Sequence, residues 1–399
     1  LPIYLIFETR IKQTVLIKSM PSDSNELLLR WKTQIERELK IGSWTELFKS
    51  DPDGIEIQPV YTQSIANTYN LPAFNNTDCE IVYRLNEYKS SQEANALYLK
   101  ALSSGATALW YQLKQKNLDS LFKHIETPYL LNILEGIATE LFDAGAYLKR
   151  QMSHLPRVWA MLTPTETPNS WKHQYQTFVF KLQKELPAFS PMVSTELYHA
   201  RGASPAFEMA IGLSMLLEFF SELFSNIQEI VLHAAVSELF FNQLVKFRAL
   251  HRIWNLWKNT HPELPNLKLS ASNSLRFYSA SDPDSNLLRS ATAALSAKLG
   301  GVSALHLHQA YHHVSQSRPD YEHHAIAQQL LIREEMLLHH YADVSCGSYF
   351  LESYTDAMAE KILFWMHAIQ TEGKGLVKAL ESGWVDQQLS QQAQQMDQK

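Results

Sequence analysis

From residue 80 onward the apolar positions repeat in one order: a short alternating run, a polar or glycine break, then a longer run at helical spacing. Ile81-Val82-Tyr83-Arg84-Leu85 alternates as a strand does, since successive side chains leave a pleated backbone on opposite sides. Gln92 to Leu102 then places Ala94, Leu97, Tyr98 and Ala101 on one helical face, and Gly105 closes it. Thr107 to Leu113 is the next strand. Further strands are expected at Val158–Leu162, at Met192–Tyr198 with His199 at its end, and at Leu267–Ser272. Helices are expected at Tyr129–Tyr147, Thr177–Leu186, Glu208–Phe224, Gln228–Trp257 and Tyr321–Leu338.

The clearest single unit runs from Asp282 to His308. Asp282-Pro283-Asp284-Ser285-Asn286 supplies turn and cap chemistry, because proline disfavours helix before it and short polar side chains bond orphan N–H groups. Leu287 to Leu299 follows with helical spacing, Gly300-Gly301 stops it, and Val302 to His308 alternates as a strand. Repeated βα units with no second compositional zone predict an α/β fold, a single (β/α)8 TIM barrel. The expected divisions are an N-terminal arm at 1–78, the barrel at 79–354 and a C-terminal helical tail at 355–399. In the arm, Glu26 to Lys40 is a helix whose Leu28, Trp31, Ile35 and Leu39 form one apolar stripe suited to a partner or to the barrel's outside. Leu1 to Lys18 is read either as a strand pair or as an extension.

Composition narrows the class. The chain has 399 residues, 45% hydrophobic and 19% charged, which indicates a globular protein with room for one barrel and extensions. A formal charge of −6 argues against a nucleic-acid surface, and two cysteines, Cys79 and Cys346, give no disulfide framework. The apolar run Met209–Phe224 carries Glu218 and Glu222, so it is expected to be a buried helix and not a membrane span. Residues 1–17 make a poor signal peptide, and the expected location is cytoplasmic.

Three ordered anchors and a stretch of the arm also resemble one family. Asp282, Pro283, Asn286, Arg289, Ala294-Leu295, Leu299-Gly300-Gly301 and Leu305-His306 fall on the DP-x-x-N-x-x-R…EAL…LGG…S-L-H pattern of the cobalamin-dependent acyl-CoA mutases, methylmalonyl-CoA mutase above all. Phe240 to Trp254 resembles their NFF-x-x-IAKLRAAR-x-LW helix. Glu334-Glu335 and Asp343 to Thr355 are similar to their QEE…DPWGGSYYVE-x-LT stretch, and Asp53 to Tyr61 to the DGI-x-I-x-P-x-Y of their N-terminal arm. The resemblance runs from about Asp53 to Gly383. Read without it, Phe240–Trp254 is an amphipathic barrel-wall helix and Glu334-Glu335 an ion-paired helix face beside Arg333.

The resemblance implies an acyl-CoA held along the barrel axis, a tyrosine-bearing segment closed over it, and a radical supplied by adenosylcobalamin. Polar groups inside the barrel would polarise the migrating thioester carbonyl. The cobalamin-ligating D-x-H-x-x-G motif does not occur in this sequence, nor does a G-x-x-x-x-G-K or G-x-G-x-x-G. Where the family has a YTRG-type segment, this chain has Asn70 to Phe74, with neither Tyr nor Arg. Where the family has H-S-Q-T-S-G, it has Ser270 to Leu275, so Ser270 and Ser272 hold the substrate-binding His and Gln positions. Tyr198-His199-Ala200-Arg201-Gly202-Ala203-Ser204 resembles the family's GYH…GA in the shorter form of the small, non-catalytic subunits, which leaves His199 as the candidate catalytic residue. His308 and His312 stand four apart, a zinc-compatible spacing on a helix, but no HExxH arrangement or third ligand follows, so no metal site is expected.

The resemblance therefore implies a small (beta) subunit-like component. Its structural role would be to pair, as a heterodimer, with a large catalytic mutase subunit that carries adenosylcobalamin and interconverts methylmalonyl-CoA and succinyl-CoA. Two alternatives stay open: a catalytic substrate-binding barrel using His199, with its cobalamin domain on another chain, and a barrel that binds acyl-CoA without turning it over. A homodimer is also compatible.

Overall fold

The computed structural model describes residues 22–62, 73–74, 78–85, 88–114, 117–151, 156–165, 167–312 and 322–397. Leu1 to Lys18 and Asn70 to Pro72 of the arm lie outside the described residues, as does His313.

Eight parallel strands close into a barrel: β1 (Glu80–Arg84), β2 (Ala108–Gln112), β3 (Leu131–Gly136), β4 (Arg157–Leu162), β5 (Ser190–Ser194), β6 (Glu229–Val236), β7 (Asn266–Asn273) and β8 (Ala304–His306). β8 pairs with both β7 and β1, Ala304 lying beside Ser270 on one side and Glu80 on the other, which shuts the ring. The chain is thus a (β/α)8 TIM barrel, as the periodicity predicts.

Two segments expected as helix contain the third and sixth strands. Tyr129–Tyr147 divides into β3 and the helix Ala138–Gln151, and Gln228–Trp257 into β6 and the helix Phe240–Thr260. The reason is burial on both faces. Val231, Leu131 and Ile133 face the barrel interior, whereas Ile230, Leu232, Ala234, Val236 and Leu134 face the surrounding helices. A strand covered on both sides is a continuous apolar run with no alternation to read. The strand expected at Met192–Tyr198 is likewise shorter: it ends at Ser194, Thr195 turns the chain, and His199 sits on the short helix Glu196–Ala200.

The Ser285–Leu299 helix, the Gly300-Gly301 stop and β8 follow the expected order. Gly301 has φ +90, and a Cβ there would lie 2.7 Å from the Phe74 ring, so both backbone and packing require glycine.

Buried ion pairs join the outer helices. Lys246 Nζ, fully buried, lies 2.6 Å from Glu208 Oε2 and 2.7 Å from the Ala235 carbonyl oxygen, tying the Pro205–Phe220 and Phe240–Thr260 helices to the end of β6. Burial alone would raise the Glu208 carboxyl, but the Lys246 charge and the His199 contact bring it down to about 2. Arg248, also fully buried, spans Asp343 (2.9 Å) and Glu352 (2.5 Å), which fastens the Tyr349–Thr371 helix to the barrel wall. At the arm, Asp51 accepts from Asn242 and Tyr354, and Asp53 accepts from Ala206 N. The arm helix Ser22–Leu39 leaves Leu27, Leu29 and Leu39 exposed. No helix among the described residues is long and apolar enough to cross a membrane.

Candidate functional site

Barrel strands direct alternate side chains to the axis, so one parity of each strand builds the interior from bottom to top. At the N-terminal end this parity gives Glu80 with Arg157 at 2.7 Å, and Glu229 with Ser190 at 3.0 Å and with Lys268 at 3.9 Å. The middle is a separate apolar cluster that includes Trp110, Trp159, Met192, Ile133, Leu131 and Val231, each at most 6% exposed. Above it, the same parity delivers Arg84, Gln112, Glu135, Ser194, His233, Ser270, Ser272 and His306. The axis is therefore filled at its middle, with polar groups at both ends of it.

Arg84 organises that mouth. Its guanidinium lies 4.2 Å from the Trp110 ring and spans Glu135 (3.3 Å) and Glu196 (3.0 Å), while the Trp110 indole N–H donates to Glu135 at 2.8 Å. Burial opposes ionisation of Glu196, but contacts from His233 and His308 and the charge of Arg84 hold its carboxyl well below the usual range. Arg84, Glu196, His306, His308, Gln309 and Gln329 line a cavity of about 730 Å³ between the ends of β1 and β8 and the helix Glu322–Leu330. His306 Nδ1 is 3.3 Å from the Val82 carbonyl oxygen and its Nε2 has no partner; burial, then His308 and Arg84, keep this imidazole well below its ordinary pKa and hence neutral.

The sequence candidates sit to one side of this cavity. Ser270 Oγ is 3.0 Å from His233 Nδ1 and Ser272 Oγ is 3.1 Å from His233 Nε2, so two serines grip both nitrogens of one fully buried ring. Glu196 Oε2 is 3.6 Å from the same Nε2. Ser270, His233 and Glu196 have the composition of a nucleophilic triad, but Ser270 and Ser272 are at most 1% exposed, out of reach of a substrate. His199 is buried with Nε2 at 2.9 Å from Ser274 Oγ, and its Nδ1 makes an electrostatic contact at 3.4 Å with Glu208 rather than a hydrogen bond. His199 and the two serines are not brought together on one accessible surface.

His308 and His312 have ring centroids 5.4 Å apart, yet no cluster of three or more His, Cys, Asp or Glu among the described residues could hold a metal ion. Adenosylcobalamin would need a histidine free to approach cobalt. Of the described mouth histidines, His233 is enclosed, His306 is buried beside Val82 and His308 lies 3.7 Å from Glu196, so these three do not fit that task. Arg84, Glu135, Glu196 and His233 carry no motif; the signal that finds Arg84, Glu135 and His233 is strand parity, which aims them into the axis from the tops of their strands, whereas Glu196 comes from the short helix after β5.

An eight-stranded parallel barrel with its polar groups at the C-terminal mouth defines the protein class. Within it, the family model described as methylmalonyl-CoA mutase matches residues 161–399, more than half of the chain. The chain belongs to the methylmalonyl-CoA mutase family. It is 26% identical over 325 residues to the methylmalonyl-CoA mutase small subunit of Porphyromonas gingivalis, covering 73% of this chain and 52% of that one. It is 28% identical over 221 residues to the 2-hydroxyisobutanoyl-CoA mutase large subunit of Aquincola tertiaricarbonis, covering 52% and 39%. With the methylmalonyl-CoA mutase of Cereibacter sphaeroides it shares 27% over 213 residues, 50% of this chain and 30% of that protein. These matches thus span 30 to 52% of the relatives' own lengths.

Proposed function

We propose that this chain is a small-subunit-like, non-catalytic component of an acyl-CoA mutase. It pairs with a large subunit that binds adenosylcobalamin and interconverts methylmalonyl-CoA and succinyl-CoA. The observation that carries the reading is the filled axis: Trp110, Trp159 and Met192 occupy the space a CoA arm would thread. Ion pairs of Glu80 with Arg157 and Glu229 with Lys268 lie at the bottom end of the same path. The overlap with a small subunit across 73% of the chain agrees with it.

The match to a mutase large subunit favours a second reading, in which the barrel is catalytic, uses His199, and meets its cobalamin domain on another polypeptide. One assay separates them: mutase turnover with methylmalonyl-CoA and adenosylcobalamin, for this chain alone and mixed with a candidate large subunit. The partner reading expects no turnover alone, and co-elution with supported turnover in the mixture. Turnover that needs only an added cobalamin domain and is lost in His199→Ala would refute it.

A further inference from the structure

A second serine–histidine–carboxylate set stands beside the enclosed one of Ser270, His233 and Glu196. Ser274 Oγ lies 2.9 Å from His199 Nε2, and His199 Nδ1 lies 3.4 Å from Glu208 Oε2. We propose that this set is an acyl-transfer site for uncharged short-chain carboxylic esters. Ser274 is its nucleophile, His199 the general base and Glu208 the positioning carboxylate.

Access separates the two sets. Ser270 and Ser272 are at most 1% exposed, whereas Ser274, the residue that follows β7, is only half-buried. Its chain neighbour Leu275 lines the mouth cavity, as does Glu196, three residues before His199 on the same short helix. His199 itself is buried, which suits a base, because the hydroxyl and not the ring meets the substrate.

The charges favour the required tautomer. Glu208 is fully buried and ionised beside Lys246, so its negative charge holds the imidazole proton on Nδ1. Nε2 is then the acceptor for the Ser274 hydroxyl. The 3.4 Å contact is long, as such contacts are in resting sites that tighten around a substrate. Glu238 is a further carboxylate whose charge acts on this ring, and Phe277 stands 6.1 Å from it. Ser274 Oγ also accepts from the Arg276 amide N–H at 3.2 Å, a bond that stabilises negative charge developing on the oxygen.

The neighbouring cavity sets the substrate class. Leu85, Leu97, Leu307, Ala325 and Ile326 give it an apolar wall, and Arg84 is met there by Glu135 and Glu196. In the reaction, Oγ bonds to the carbonyl carbon as its proton passes to Nε2. The bond from that carbon to the leaving alkoxide oxygen then breaks, and the alcohol departs with the proton from Nε2. Water repeats the sequence through the same base, releases the acid and restores the hydroxyl.

The test is incubation of the full chain with an alkyl fluorophosphonate, followed by peptide mass spectrometry. Oγ bonds to phosphorus, fluoride leaves, and a single adduct on Ser274 is expected. In His199→Asn the labelling rate should fall at least about 100-fold, the lower range of general-base assistance. Hydrolysis of p-nitrophenyl butyrate should be lost in Ser274→Ala. In Glu208→Gln the midpoint of the pH–rate curve should move to lower pH, because the imidazolium loses its counter-charge; a purely structural glutamate would leave it in place. No adduct, an adduct at another residue, or labelling that is as fast in His199→Asn would overturn the proposal. The adduct is mapped on the wild-type chain, so it decides the nucleophile even where a variant unfolds. Neither cobalamin nor a partner subunit enters, so the result is separate from that of the turnover assay.

Discussion

The barrel axis and the barrel mouth are built by the same strands and the same parity, yet they are opposite environments. On β1, Val82 belongs to the dry cluster and Arg84, one inward position further, to the charged mouth. On β2 one residue serves both: the Trp110 ring closes the axis, and its N–H and upper face receive Glu135 and Arg84. The lesson is that a barrel axis can be packed solid while the mouth above it stays charged. Filling needs only large side chains at inward mid-strand positions, and those leave the strand ends free to carry charge.

The most severe way to break the comparison is to hollow the axis. Trp110→Ala and Trp159→Ala should each cost roughly 3–5 kcal/mol, because neighbouring strands cannot close around a cavity of indole size. Trp110→Ala also strips Glu135 of a donor. Urea unfolding measures both. A double variant that unfolds within about 1 kcal/mol of wild type would show that the axis is not a packed core.

A second experiment probes the mouth by pH. His306 has its folded pKa held well below the ordinary 6.5 by burial and by neighbouring His308 and Arg84. A depressed folded pKa means that the unfolded chain takes up the proton first. The stability from this neutral ring is therefore complete above pH 6.5 and drains as pH falls below it, at about 1.4 kcal/mol per pH unit. His306→Asn should remove that slope. Urea midpoints at pH 7.5 and 5.5 check it: wild type should lose about 1.4 kcal/mol more than the variant across this interval. Equal losses would mean that His306 is not kept neutral.

How much of this was legible follows from the same contrast. The barrel was readable where strands alternate or where glycines and caps punctuate, as from Asp282 to His308. It was obscured at β3 and β6, whose two faces are both apolar. The family was legible in three segments that lie on wall helices and on the helix, turn and strand that end at β8; they mostly position the barrel, and of their matched residues His306 lines the cavity. The candidate residues His199, Ser270 and Ser272 came from motif correspondence, and the structure places each beside a buried partner. Arg84, Glu135, Glu196 and His233 were hidden because their importance arises from convergence: they come from β1, β3, the turn after β5, and β6, with no fixed spacing in sequence. Only once the strands are in register does the parity of each reveal which polar side chains meet.

The smallest expected effect lies at the boundary between the two environments, where Ser270 and Ser272 hold His233. In the family pattern these positions belong to substrate contacts; here each hydroxyl is spent on a ring nitrogen. Ser270→Ala leaves His233 Nδ1 with no hydrogen-bond partner among the described residues, and should cost about 1 kcal/mol. Ser272→Ala should cost less, because Glu196 stands 3.6 Å from Nε2 and can move in to replace the hydroxyl. The order of the two losses, read from paired urea titrations, is the informative quantity. If Ser272→Ala proves the more damaging, then Glu196 is committed elsewhere, to Arg84 and to whatever occupies the cavity, and the boundary belongs to the mouth rather than to the core.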